Sequence, residues 1–160
     1  MYLSQYLPYF KEKTLLIVTG GRCADYYSAH GNVLNKIKTS CIEPSNYLDN
    51  EGQFFQSEGG CGFSTGSVLE SHKREEIQKF IHQVSRELHE IHHNDPGYTS
   101  LILFAPRYLS RMLLNALRSE ERNIVREKMY GNFIKTHPSL FLKRLRREFT
   151  RENSIQNARM

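Results

Sequence analysis

Two short apolar runs separated by one long amphipathic stretch constrain this chain most. The first run, Thr14-Leu-Leu-Ile-Val-Thr19, is rich in β-branched residues and stops at Gly20-Gly21, so it reads as a buried strand. The second, Tyr98-Thr-Ser-Leu-Ile-Leu-Phe-Ala105, reads the same way and is closed by Pro106. Between them, Ile77, Phe80, Ile81, Val84, Leu88 and Ile91 recur at the spacing of one helical stripe. Ser67, with Glu70 three residues on, fits a capping box at the start of that helix, and Asn94-Asp95-Pro96-Gly97 ends it. A strand, a long helix and a strand in succession make a crossover, so the 98–105 run is expected to lie parallel to the 14–19 run.

The rest of the chain fills in around this unit. Arg22–Ala29 and Val33–Ile42 read as two further strands, joined by the turn signals Gly20-Gly21 and His30-Gly31-Asn32 into an antiparallel meander. Residues 43–67 read as a long glycine- and asparagine-bearing loop, of a length that in a compact domain is usually functional or mobile. Beyond 105, Tyr108–Leu117 is a second helix, and Ser119-Glu-Glu-Arg122 restarts helical character through Ile124, Val125 and Met129. Gly131-Asn132 breaks it, Phe133–His137 is a short strand candidate, and Pro138 opens a last helix. The order β-β-β-α-β-α-α-β-α predicts an α/β fold with a mixed five-stranded sheet, an antiparallel meander plus parallel strands, with helices on both faces. Ribonuclease-H-like folds have this order. The organisation expected is an extension over 1–13, one domain over 14–152 and a frayed tail over 153–160.

Composition narrows the compartment and the partner. Cysteines stand only at 23, 41 and 61, an odd count without a Cys-x-x-Cys pair, so zinc knuckles and thioredoxin motifs are excluded and reduced thiols in a cytoplasmic setting are expected. Met1–Phe10 carries no basic residue and does not read as a signal peptide. The longest apolar run, Leu101–Ala105, is far short of the about 20 residues of a membrane span, so no membrane partner is expected. Charge is unevenly distributed. Residues 1–97 hold 9 basic and 12 acidic side chains (net −3), whereas 98–160 hold 13 and 5 (net +8). Such an excess points to a polyanion, most simply RNA, with Arg107, Arg111, Lys135, Lys143, Arg144, Arg146 and Arg147 as the candidate contacts.

Three patterns bear on chemistry. His89-Glu90-Ile91-His92-His93 matches the zinc-protease signature literally, but it occupies the last turn of a helix, where cationic side chains are favoured in any case, so no metal and no cofactor are expected. Gly59, Gly60 and Gly62 precede a helix and are candidates for an anion-holding loop, without the lysine of a P-loop. Cys61 in that loop is a candidate nucleophile.

Taken together, these segments resemble a known family. Thr14–Arg22 with Tyr26-Tyr27, the glycine loop followed by Glu70–Phe80, Leu101–Arg107 with Leu109 and Leu113-Leu114, and Lys135-Thr-His-Pro138 with its following leucines are similar to the bacterial host attachment proteins. That family in turn looks like bacterial and archaeal relatives of the middle domain of the eukaryotic peptide-chain release factor. The resemblance implies a translation-related module that binds ribosome or tRNA. It also implies a role for the 43–67 loop, where release factors carry Gly-Gly-Gln and promote hydrolysis of peptidyl-tRNA. This chain has Glu51-Gly52-Gln53 and Gly59-Gly60-Cys61 instead, so Gln53 and Cys61 are the candidates if an ester is hydrolysed at all. The family label carries a third expectation, a protein-interaction factor needed indirectly for attachment.

Overall fold

The computed structural model describes residues 1–3, 7–43 and 67–158, with side chains at 1–3, 7–43 and 73–151. Five strands, β1 (Phe10–Thr19), β2 (Cys23–Gly31), β3 (Val33–Cys41), β4 (Ser100–Ala105) and β5 (Val125–Tyr130), form one sheet in the order β3-β2-β1-β4-β5. The meander β1-β2-β3 is antiparallel, and β4 and β5 run parallel to β1, with Leu15 opposite Leu101 and Ile17 opposite Leu103. The expected α/β mixed sheet and its crossover are therefore present.

The pleat of β1 sends alternate residues to two cores. Leu15 and Ile17 join Leu101, Leu103 and Tyr26 beneath α1 (Ser67–Asn94) and α2 (Arg107–Ala116), which contribute Phe80, Val84, Leu88, Leu109 and Leu113. Leu16 and Val18 join Ile102, Phe104 and Tyr27 beneath α4 (Pro138–Ala158), which contributes Phe141, Leu142 and Leu145. A strand buried on both faces must read as an unbroken apolar run, which is why 14–19 and 101–105 stand out.

Four expectations are corrected. The stretch expected to continue as helix past 119 is helical only over α3 (Ser119–Asn123); from Val125 it is the edge strand β5. Parallel pairing of Val125–Tyr130 with β4 overrides a residue spacing that suits a helix equally well. Phe133–His137 is a turn rather than a strand: Thr136 donates its N–H (3.1 Å) and hydroxyl (2.6 Å) to the Phe133 carbonyl, and Lys135 takes φ 62°. Much of the 1–13 extension belongs to the sheet, since β1 starts at Phe10, Tyr2 bridges Val33 and Leu3 is buried. The helix α4 continues to Ala158 where a frayed tail from 153 is expected, because no Gly or Pro stands in that stretch to stop it.

The cysteines also depart from expectation. Cys23 and Cys41 face each other across β2 and β3, Cα atoms 4.1 Å apart, and form a disulfide. Their spacing along the chain does not reveal this, because the strand register creates the pair. Alkylation of the unfolded protein without reductant should label one thiol per chain, and labelling of all three only after reduction checks it. Three labels before reduction would remove the bond.

Candidate nucleic-acid interface

All three parallel strands end at one edge of the sheet. There β1 gives way to Gly20-Gly21, β4 to Pro106-Arg107-Tyr108 and β5 to Gly131-Asn132. Helix α2 starts there, and α4 starts close by after the 131–137 turn. In open α/β sheets this carboxyl edge is where ligands sit.

Helix α4 concentrates the positive charge. Phe141, Leu142 and Leu145 are buried against the sheet, and 3.6-residue periodicity then turns Lys143, Arg144, Arg146, Arg147 and Arg151 to solvent. Glu148 lies among them, 3.5 Å from Arg151. Among the described residues no carboxylate pairs with Lys143, Arg144 or Arg147. Lines of guanidinium groups with few counter-charges suit a phosphate backbone.

The carboxyl edge carries two arginine–aromatic stacks. The Arg107 guanidinium lies 5.3 Å over the Tyr130 ring and that of Arg144 5.5 Å over the Phe133 ring. These stacks flank Gly131, which holds φ 153° and where a Cβ would come 2.7 Å from the Phe133 ring. Glycine is required at that point for both reasons. The turn thus links the α2 side of the sheet to the α4 side.

The expected basic set is therefore only partly assembled. Lys143, Arg144, Arg146 and Arg147 share the outer face of α4, and Arg107 reaches the same crest from α2. Arg111 is exposed on α2, on the opposite face of the sheet from α4. Other exposed cations of the C-terminal third have partners within the chain: Arg118 with His89 (2.7 Å), Arg122 with the Asn115 and Leu117 carbonyls (3.1 Å each) and Arg126 with Glu12 (2.7 Å). Gln53, Cys61, Gly59, Gly60 and Gly62, with 44–66 as a whole, lie outside the described residues.

Lys135 takes a different place. With Lys36, Asp25, Tyr27 and His137 it lines a hollow of about 700 Å3 at the start of α4. Lys36 pairs with Asp25 at 2.8 Å, and that hydrogen bond raises the lysine's pKa. Burial, then the Asp25 charge, pushes the Tyr27 hydroxyl up. His137 Nδ1 accepts the Ser139 N–H at 3.3 Å and caps α4.

The first histidine of the zinc-like signature is held by side chains from α3 and the residue before it, and its ring stacks 6.1 Å from that of His93. His89 Nδ1 is 3.3 Å from Oε1 of the buried Glu121, and its Nε2 faces Arg118, so both ring nitrogens have protein partners. The second oxygen of Glu121 accepts the Arg118 N–H at 3.0 Å and caps α3. Tyr108, Tyr130 and Phe133 belong to no motif in the sequence. Their one signal is positional: aromatic residues at strand exits, next to Arg107 and Gly131.

Together, the sheet order and the helix placement define an α/β domain with a mixed five-stranded sheet, and its carboxyl edge is charged. No protein-family model and no curated protein matches the chain. Among solved structures it is similar to an archaeal translation termination factor, aRF1, at 13% identity over 91% of this chain and 41% of that one, with a TM-score of 0.48. It is also similar to Saccharomyces cerevisiae Dom34, a translation termination-like factor involved in RNA quality control, at 12% identity over 91% and 38%, with a TM-score of 0.40. The chain spans about two-fifths of the length of each.

Proposed function

We propose that the chain is a translation-related module of the host attachment protein family, acting in the cytoplasm, that binds RNA, as tRNA or on the ribosome, through α4 and the adjoining crest. The observation that carries the RNA contact is the outer face of α4, where five cations share one side of a helix whose other side buries Phe141, Leu142 and Leu145 in the core. The translation setting rests on the sequence resemblance. An apolar docking mode, including lipid, does not suit this part of the helix, because Phe141, Leu142 and Leu145 are already buried against the sheet. A nucleic-acid backbone needs only the charged side, and release of its counterions supplies the driving force. In the cytoplasm the Cys23–Cys41 bond is open to exchange with cellular thiols.

Filter binding of tRNA and co-sedimentation with ribosomes test the reading. Affinity should fall linearly with salt on logarithmic axes. Failure to bind either at low salt, or binding indifferent to salt, would overturn it.

A further inference from the structure

We infer that the carboxyl crest is a stacking platform for unpaired bases, so that the RNA bound is single-stranded or looped at this point. The inference rests on the RNA reading above and specifies the form of RNA. Tyr108 follows β4 and Tyr130 ends β5 at the same edge, and they are 57% and 42% exposed. Tyr130 is paired with Ala105 at the end of β4, and Tyr108 stands in the first turn of α2, three residues further on.

Their surroundings suit a base rather than an apolar partner. Arg107 covers one side of Tyr130. Tyr108 borders a cleft of about 340 Å3 lined also by Gly21, Arg22, Lys73, Glu76 and Ile77. At Gly21 no side chain rises beside Tyr108; a Cβ there would stand 3.5 Å from its hydroxyl. Open ground at Gly21, with Arg107 over Tyr130 and with Lys73 and the Glu76-paired Arg22 (2.8 Å) beside Tyr108, suits a flat, π-faced, anion-linked ligand. A duplex hides its base faces and offers only its backbone, for which α4 suffices. Phosphates on either side of a stacked base would then meet Arg107 and Arg144, which flank Gly131.

The test uses the full chain, a labelled uridine 12-mer and a perfect RNA duplex of equal length. The single strand should bind more tightly than the duplex. Tyr108→Ala with Tyr130→Ala should weaken single-strand binding roughly ten-fold or more, the scale of one or two lost stacking contacts. The salt slope should stay the same, because no cation is removed. Tyr108→Phe with Tyr130→Phe should restore binding, and the alanine pair should keep the wild-type melting curve, which a fault in folding would not allow. Equal or tighter duplex binding, wild-type affinity in the alanine pair, or a phenylalanine pair as weak as the alanine pair would each overturn the inference. If tRNA binds with the expected salt dependence yet ignores both tyrosines, this inference alone fails. If the unaltered chain binds no RNA at low salt, it fails together with the proposed function.

Discussion

Replacing Lys143 and Arg147 with glutamine should weaken RNA binding roughly 25-fold at about 0.1 M salt, through electrostatics alone. Each phosphate contact to a single strand contributes a slope of about −0.7 to log affinity against log salt, hence a factor of about five at that concentration. Two contacts multiply to the stated loss, and the slope should fall by about 1.4. Both side chains are exposed on the outer face of α4, away from Phe141, Leu142 and Leu145, so the fold should be unaffected. Titrations at several salt concentrations, with melting curves of each variant, give both numbers. A double variant that keeps the wild-type slope would remove α4 from the interface.

Phe141→Ala should have the largest effect on stability. The ring is fully buried and meets Phe104 at 5.1 Å and Tyr27 at 5.6 Å between centroids. Truncation removes its transfer free energy and leaves a cavity between α4 and the sheet, about 3–5 kcal/mol for a buried phenylalanine. Against a typical total of about 5–15 kcal/mol, that should lower the melting temperature by roughly 8–15 °C for a chain of this size. The loss should extend to function, because the cations of α4 are aligned only while the helix is docked. Phe141→Leu should recover much of both. Melting and RNA affinity measured together check the link: an alanine variant that melts early but binds RNA normally when warmed toward its transition would show that docking of α4 is not needed for the interface.

Several elements are legible in the residue pattern itself. The apolar runs at 14–19 and 101–105 are short, unbroken and bounded by Gly or Pro, as doubly buried strands are, and the stripe from Ile77 to Ile91 has a helical period; each lies in the element it indicates. By contrast, Ile124, Val125 and Met129 suit a helix and a strand equally, and parallel pairing with β4 decides the matter. The N-terminal residues lack a periodic signal because Tyr2 and Leu3 are held by single contacts at the start of β3 rather than by a repeating face.

For the site, the sequence determined the amount of charge and its position along the chain: an excess of eight cations after residue 97, densest between Lys143 and Arg151. It also determined that one side of the last helix would be apolar and the other cationic, since both follow from a 3.6-residue period. Only the tertiary structure decided which cations are available. Arg118, Arg122 and Arg126 have intramolecular partners in His89, backbone carbonyls and Glu12, which are distant in sequence or unmarked by any local pattern, whereas Lys143, Arg144 and Arg147 pair with no carboxylate among the described residues. It alone brought Tyr108, Tyr130, Phe133, Arg107 and Arg144 to one edge, and Cys23 to Cys41. The reason is physical: periodicity tells which side of an element faces the core, but strand order and register determine which elements become neighbours, and those depend on packing over the whole sheet.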